Sequence, residues 1–210
     1  MRQFVAGLVL LLSMAPFAGA DPVGLTPDTL RKDIVIGGQT IVIAREQDNA
    51  ATLPEEFTRT SRPCPPFCIA PMTVAPGVGT LGELEVIAFL EDRVAQGTGV
   101  LVDSRLPDFF IKGAIPGAVN VPFTALDPAN PYRDAILEAL GAVRQGGGWD
   151  FAGAQHLALY CNGPWCDQSP RAIRHLLEAG YPAAKLHYYR GGMQDWLSLG
   201  LTTVLPTGTN

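Results

Sequence analysis

The strongest constraint on the fold is an alternation of short apolar segments with helical segments from Thr80 onward. Four of the apolar segments have the length and composition of strands that are buried on both faces of a sheet: GVLVDSR, GAVNVPF, HLALYC and KLHYYRGG. Strands of this kind that alternate with helices predict an α/β fold with a doubly wound, mostly parallel sheet flanked by helices.

The segments between these strands carry helix signals. TLGELEVIAFLEDRVAQG begins with a capping box formed by Thr80 and Glu83, and it ends at Gly97. YRDAILEALGAV predicts a helix that the glycine run at 146–148 terminates. PRAIRHLLEAG has one apolar and one charged face, and MQDWLSLG is a last short helix.

The first twenty residues predict a cleavable signal peptide. Arg2 is followed by the apolar segment FVAGLVLLLSMAPF, and AGA supplies small residues for cleavage after Ala20. An uncleaved anchor helix is the alternative, but no basic stop-transfer segment follows. We therefore expect an exported protein, periplasmic or secreted, with no membrane span after cleavage.

We expect an N-terminal extension at residues 21–79 and the α/β domain at residues 80–205. DIVIGGQTIVIARE contains two β-rich runs around Gly37 and Gly38, which predicts a hairpin. SRPCPPFCIAPMTVAPG, residues 61–77, contains five prolines in seventeen residues and cannot be helical. We call this segment the strap and expect it to lie on the surface of the domain.

Charge argues against one class of partner. The formal net charge of the chain is −5, and its charged residues are scattered without a basic patch. Proteins that bind nucleic acid concentrate positive charge on one face. We therefore expect no nucleic-acid partner.

The four cysteines fall into two close pairs, Cys64 with Cys68 and Cys161 with Cys166. In an oxidising compartment, disulfides within each pair are the default, although four cysteines allow three connectivities. Their spacings match neither the C-x2-C of thioredoxin-like proteins nor a regular zinc site, so we expect no metal and no cofactor. The strap either has its own disulfide or folds over the Cys161 loop and brings Cys64 or Cys68 near Cys161.

Cys161 follows an apolar strand, at the edge where doubly wound sheets bind ligands. Ser169 and Pro170 predict the next helix start, with a hydroxyl N-cap and proline at the first helical position. Residues 161–168 therefore predict a loop whose N–H groups form an anion-binding nest near the helix dipole. Such a nest would lower the pKa of Cys161, whereas the alternative is a buried cysteine without a role.

Two blocks resemble the signatures of rhodanese-like domains, and together the resemblance covers residues 80–201. The second block extends from the strand-end cysteine through SPRAIRHLLEAGY to Gly191-Gly192-x3-Trp196. The first block, GVLVDSRLPDFFIKGAIPGAVNVPF, has the matching residues Asp103, Arg105, Phe110, Gly113, Ile115, Pro116, Gly117, Ala118 and Asn120.

The resemblance implies a sulfurtransferase. Cys161 would take sulfur from a small donor such as thiosulfate, carry it as a persulfide, and pass it to a thiol acceptor, either a small molecule or a protein. Asp103 and Arg105 would support the site from beneath, or form a structural ion pair at the sheet end. The active-site loop would comprise Cys161 and the eight residues that follow it: Asn162, Gly163, Pro164, Trp165, Cys166, Asp167, Gln168 and Ser169.

The loop departs from the family pattern in charge and length. Asp167 would repel an anionic donor, and it also occupies the position where related phosphatases need arginine, which argues against a phosphatase. Cys166 would allow a second reaction, because its thiol could attack a mixed disulfide on Cys161 and release the partner. A thiol–disulfide protein that cycles this pair and a non-catalytic binding module therefore remain as alternatives to sulfur transfer.

Overall fold

A computed structural model describes residues 21–206, and the predicted signal peptide lies outside them. Nine strands lie in the described residues: β1 (Arg31–Ile36), β2 (Gln39–Ala44), β3 (Gly79–Leu81), β4 (Gly99–Asp103), β5 (Ala118–Asn120), β6 (Val143–Gln145), β7 (Gly148–Asp150), β8 (His156–Tyr160) and β9 (Leu186–Tyr189). The same residues contain five α-helices: α1 (Glu83–Phe89), α2 (Pro107–Phe110), α3 (Arg133–Ala139), α4 (Gln168–Glu178) and α5 (Gly192–Ser198). No helix within this range is long and apolar enough to cross a membrane.

Five strands form the central sheet, in the order β3-β9-β8-β4-β5. All four neighbouring pairs are parallel. The prediction of an α/β fold with a mostly parallel sheet is therefore confirmed. Strand β8 lies in the middle of this sheet and provides its most deeply buried segment.

Helices cover both faces of the sheet. Leu159 of β8 packs into one core together with Ile173 of α4. Tyr160, the next residue, belongs to the opposite core with Trp196 of α5. Successive side chains of a strand point to opposite faces, so an all-apolar strand requires two covered faces. This is the doubly wound arrangement that the sequence predicts.

The N-terminal hairpin packs on the second of these cores. Strands β1 and β2 pair antiparallel, and the two-residue turn between them consists of Gly37 and Gly38, with φ of 57° and 80°. Such a turn needs positive φ at both positions, which glycine adopts without strain. Ile34 and Ile43 of the hairpin are buried against the domain.

The prediction of a helix cap at Thr80 was wrong. Thr80 lies in β3, paired with Tyr188 of β9, and helix α1 starts three residues later. The capping interaction is made instead by Gly82, whose N–H donates to the Glu85 carboxylate at 3.0 Å. The local pattern assigns Thr80 to the start of the helix, but strand pairing at the edge of the sheet places it in β3 instead.

Two helix ends also differ from the prediction. Regular α1 ends at Phe89 and continues as a wider π-helical turn, Leu90–Val94, before reaching Gly97. Helix α3 ends at Ala139, well before the glycine run. Gly146 and Gly147 instead form the turn of a hairpin between β6 and β7, with φ of 57° and 84°.

Candidate active site

Cys161 lies at the carboxyl edge of the central sheet. It directly follows Tyr160, the last residue of β8, and Tyr160 is in register with Asp103, the last residue of the neighbouring parallel strand β4. Ligand sites of such sheets lie beyond this edge. The structure thus brings the predicted nucleophile Cys161 and the predicted supporting residues Asp103 and Arg105 to the same end of the fold.

The N-terminus of α5 holds the backbone of the loop at residues 161–167. The N–H of Met193 donates to the Cys161 carbonyl at 3.0 Å, and the N–H of Gln194 donates to the next carbonyl at 2.9 Å. Because these carbonyls turn toward α5, the N–H of Gly163 is left to face the Cys161 sulfur. Inward-facing N–H groups of this kind form an anion-binding nest.

The Cys161 sulfur is surrounded by hydrogen-bond donors. Its residue is 2% exposed, and the Ser169 hydroxyl donates to Sγ at 3.1 Å. Burial alone would raise the pKa of Cys161, but hydrogen bonds from Cys166, Ser169 and Gly163 outweigh burial and lower that pKa below its ordinary value. Cys161 is therefore the cysteine that favours the thiolate form.

Ser169 does not cap the helix, contrary to the prediction. Helix α4 begins at Gln168 with Asp167 in the N-cap position, so Ser169 lies in the first turn and Pro170 directly after it. Ser169 is fully buried, and its hydroxyl is directed to the Cys161 sulfur rather than to a backbone N–H. The residue that the sequence assigns to helix capping therefore belongs to the thiolate site.

Cys166 is the protonated partner of Cys161. The hydrogen bond to the Cys161 sulfur, burial, and the negative charge on Cys161 together raise the pKa of Cys166. The Cys166 carbonyl also lies 3.5 Å from the Cys161 sulfur, a contact that suits only the neutral thiol of Cys161. Both cysteines are free thiols rather than a disulfide. The pair therefore combines a cysteine whose pKa is lowered with a cysteine whose pKa is raised.

A buried ion pair lies beneath the loop. The Arg105 Nε atom donates to Asp103 Oδ1 at 2.9 Å, and Nη2 donates to Oδ2 at 2.6 Å. Asp103 is 0% exposed and Arg105 2% exposed. Two parallel hydrogen bonds of this kind fix the plane of the guanidinium group. The structure therefore shows an ion pair at the sheet end, which is one of the two roles predicted for these residues.

The ion pair also reaches the loop. Arg105 Nη1 lies 3.5 Å from Asn162 Oδ1, and Nη2 donates to the Gly113 carbonyl at 2.6 Å. Burial lowers the pKa of Arg105, but the hydrogen bond and charge of Asp103, with further contributions from Tyr160 and Cys161, raise that pKa overall. Arg105 thus remains a fixed positive charge beneath the Cys161 loop.

Asp167 is paired rather than directed at the sulfur. Its carboxylate accepts a hydrogen bond from Arg171 Nε at 3.0 Å, one helical turn along α4. Both side chains are about half exposed, at 49% each. An exposed pair of this kind is weak, yet it places a positive charge beside the carboxylate. The repulsion of an anionic donor that Asp167 alone predicts is therefore reduced.

The strap lies against the loop. The Ala70 N–H donates to the Pro164 carbonyl at 2.7 Å, and the Arg62 guanidinium stacks on Trp165 with Cζ 3.7 Å from the ring centroid. Phe67 meets the same ring edge-on, with centroids 5.8 Å apart. The strap carries its own disulfide, Cys64–Cys68. The strap thus covers the loop, but its two cysteines bond to each other and not to Cys161 or Cys166.

Strap and loop enclose a cleft of about 520 Å³. Cys166 lines this cleft, whereas Cys161 is not among its lining residues. Arg62 and Phe67 also line it, and neither was singled out from the sequence. No local pattern marks them, since their role depends on the strap folding onto Trp165.

No metal site is present in the part of the chain that the structure describes. Residues 21–206 contain no group of three or more His, Cys, Asp or Glu side chains that could hold an ion. His156 and His187 stack on each other with ring centroids 6.1 Å apart. Burial, together with neighbouring charges, lowers the pKa of both, which favours their neutral form.

Replacing Ser169 by alanine is expected to raise the pKa of Cys161 by about 1–2 pH units, because a hydrogen bond to a charged group is lost. The ultraviolet absorbance of the thiolate, titrated against pH, measures this change. Ser198→Ala is the matched control, since the Ser198 hydroxyl donates to a carbonyl on α5 instead. An unchanged titration in Ser169→Ala would contradict the assignment of this hydroxyl.

Comparison with known proteins decides the family. The sequence model of the rhodanese-like domain matches residues 86–199. The chain belongs to the rhodanese-like family. Its match covers more than half of the chain and includes Cys161, Asp103 and Arg105, whereas the strap lies outside it. The resemblance stated from the sequence signatures is therefore confirmed.

Three solved structures are similar to part of this chain. A human single-domain sulfurtransferase is 25% identical, with 58% of this chain and 96% of that chain covered and a TM-score of 0.40. A thiosulfate sulfurtransferase from Pseudomonas aeruginosa is 24% identical, with 60% and 20% covered and a TM-score of 0.42. A rhodanese-related protein from Thermoplasma volcanium is 18% identical, with 61% and 99% covered and a TM-score of 0.41.

One curated relative is a regulator. An HTH-type transcriptional regulator of Mycobacterium tuberculosis is 30% identical over 109 residues, which cover 52% of this chain. The aligned residues make up 39% of the regulator, so the chain spans about two fifths of the length of this relative. The likeness between the two proteins is confined to that part.

Proposed function

We propose that this rhodanese-like protein is a sulfurtransferase that carries sulfane sulfur as a persulfide on Cys161. The observation that supports it most is the environment of the Cys161 sulfur, which accepts a hydrogen bond from Ser169 at 3.1 Å and has a lowered pKa. A thiolate is the nucleophile that sulfur transfer requires. The same donors would stabilise the charge on a bound persulfide.

The proposed reaction has two displacement steps. The Cys161 thiolate attacks the outer sulfur of a donor such as thiosulfate, a sulfur–sulfur bond forms to Cys161, and sulfite leaves with the electron pair of the broken bond. The thiolate of an acceptor, a small molecule or a protein, then attacks the outer sulfur of the persulfide. Cys161 leaves as a thiolate, and the acceptor becomes the persulfide.

Intact-mass measurement tests this proposal. The mature protein treated with thiosulfate is expected to gain one sulfur atom, to lose it when a thiol acceptor is added, and to gain none as Cys161→Ser. Cys166→Ser is the matched control, because it keeps Cys161 and should still gain the sulfur. If neither thiosulfate nor another sulfane donor adds sulfur to the wild-type protein, the proposal fails, and a thiol–disulfide function or a binding module is favoured.

A thiol–disulfide function is the second candidate. It is favoured by two free thiols in contact, one with a lowered and one with a raised pKa. The Cys161 thiolate would attack a partner's disulfide, and Cys166 would then attack the mixed disulfide, so that the pair is oxidised and the partner reduced. Cys166→Ser separates the candidates, because it blocks release of the partner but leaves persulfide loading intact.

We also propose that the protein is exported. The apolar segment with small residues before Asp21 and the Cys64–Cys68 disulfide support this location. The mature protein purified from its host is expected to begin at Asp21 and to fractionate outside the cytoplasm. A mature chain that keeps Arg2 and fractionates with the cytoplasm would contradict export.

A further inference from the structure

The cleft between strap and loop has the size of a small-molecule site. Its volume of about 520 Å³ lies in the range of roughly 300–1,000 Å³ that small organic ligands occupy. Inorganic thiosulfate, with five atoms, would fill little of it. Because Cys166 lines this cleft and contacts Cys161, a ligand bound there lies beside the thiolate site.

The walls of the cleft combine positive charge with aromatic surface. Arg59 and Arg62 line it from the N-terminal extension, and among residues 21–206 neither forms an ion pair with a carboxylate. Phe67, Phe109 and Trp165 supply the apolar surface. Paired guanidinium groups bind carboxylates and sulfonates, and aromatic rings pack on an apolar body.

The acidic residues of the cleft offset only part of this charge. Asp167 lines the cleft but is paired with Arg171, and Glu56 is the other carboxylate in the lining. Arg62 is held in place on the Trp165 ring. Burial and the neighbouring charge of Arg59 lower the pKa of Arg62, which shows that the two guanidinium groups repel each other. A bound anion would relieve that repulsion.

The indole of Trp165 connects the two walls of the cleft. Its Nε1 atom is buried and has no hydrogen-bond acceptor among the described residues. A Cβ atom at Gly163 would lie 3.1 Å from Nε1, so this edge of the indole faces the backbone of the loop, and the rest of the ring lines the cleft. Trp165 also contacts the strap and belongs to the Cys161 loop, so it joins both walls of the cleft.

We propose that the N-terminal extension and the Cys161 loop form a binding site for an organic anion with an apolar body. Its anionic group would lie on Arg59 and Arg62, and its apolar part against Phe67 and Trp165. This inference rests on the proposed function for one point, that the physiological ligand is a sulfur donor. The N-terminal extension thereby supplies the positive charge that the loop itself lacks.

Calorimetry with benzenesulfonate, an unreactive probe, tests the site on the mature protein. Benzenesulfonate is expected to bind about tenfold more tightly than inorganic sulfate, which lacks the apolar body. Arg59→Gln is expected to weaken the binding of benzenesulfonate about tenfold. Arg174→Gln, an exposed arginine on the outer face of α4, is the matched control. Phe67→Ala is a second variant that removes apolar contact without changing charge.

The outcomes separate this inference from the proposed function. Binding of benzenesulfonate that is lost in Arg59→Gln and Phe67→Ala but kept in Arg174→Gln supports the site, even if no persulfide ever forms on Cys161. No binding of benzenesulfonate, or binding that both cleft variants leave unchanged, overturns it, even if thiosulfate still loads Cys161. With benzenethiosulfonate as donor, Arg59→Gln should slow persulfide loading about tenfold at limiting donor.

Discussion

Replacing Arg105 by methionine is expected to lower the free energy of unfolding by about 3–5 kcal/mol, because it leaves the Asp103 carboxylate buried without its partner. Asp103 is 0% exposed, and its two carboxylate oxygens accept hydrogen bonds from Arg105. Methionine keeps the length of the side chain, so the loss reflects the missing charge together with the hydrogen bond to the Gly113 carbonyl. Urea denaturation measures the change.

An exposed ion pair provides the matched control. Arg31 pairs with Asp33 on the surface, where their side chains are 62% and 45% exposed. Arg31→Met should lower the unfolding free energy by no more than about 1 kcal/mol, because water screens exposed pairs. If Arg105→Met has an effect as small as Arg31→Met, the buried pair does not hold this end of the sheet.

A double variant distinguishes lost attraction from stranded charge. Asp103→Asn keeps the acceptor for the Arg105 N–H, which donates to Asp103 Oδ1 at 3.0 Å. When it is combined with Arg105→Met, no charge remains buried, and the double variant should be more stable than Arg105→Met alone. A double variant that is less stable would show that the attraction, rather than the unpaired carboxylate, dominates the loss.

The sequence predicts those parts of the fold that depend on short, local patterns. After His156, the segment HLALYC is apolar at every position, and the structure places it in the middle of a parallel sheet with two covered faces. The same pattern predicts that Cys161 lies at the end of a strand. Ligand sites of parallel sheets lie beyond the carboxyl ends of the strands. Gly37 and Gly38 likewise specify their hairpin turn through their own backbone freedom.

Helix boundaries were less predictable, because tertiary contacts compete for the same residues. Thr80 has the side chain of an N-cap, yet strand pairing with Tyr188 takes it into the sheet. Ser169 has the same signal, yet its hydroxyl is directed to the Cys161 sulfur, a partner eight residues away. An N-cap oxygen accepts a hydrogen bond from a backbone N–H, whereas the Ser169 hydroxyl donates one to sulfur, and the local sequence does not reveal which partner lies close in the fold.

The contacts of the strap could not be predicted for a different reason. Its prolines exclude a helix, but they do not specify where the segment lies. Arg62 and Phe67 contact Trp165, which lies about a hundred residues later in the sequence. No periodic pattern relates the two segments. The sequence therefore locates the cysteine of the candidate site but not the cleft above it.

Replacing Gly192 by alanine is expected to lower the unfolding free energy by about 2–5 kcal/mol, the sum of a left-handed backbone penalty and the strain of an overpacked side chain. Gly192 has φ of +55°, and a Cβ atom there would lie 2.3 Å from the Cys161 carbonyl oxygen and 2.8 Å from Gly163 N. Both neighbours are backbone atoms, so neither can rotate away. Urea denaturation measures the loss.

Gly97→Ala isolates the backbone penalty. Gly97 has φ of +69°, and nothing lies within 4 Å of the position that its Cβ would take. Alanine there should lower the unfolding free energy by about 1–2 kcal/mol through its left-handed backbone alone. Equal losses in the two variants would show that the close approach to the Cys161 loop contributes nothing.

The loop itself provides a second measurement on Gly192→Ala. The alanine methyl group would push the Cys161 carbonyl away from α5, where the Met193 N–H holds it at 3.0 Å. The Gly163 N–H would then lose its direction toward the sulfur. We therefore expect the pKa of Cys161 to rise toward its ordinary value in the folded fraction of Gly192→Ala. In Gly97→Ala the pKa of Cys161 should stay lowered, because only the first change displaces the groups that stabilise the thiolate.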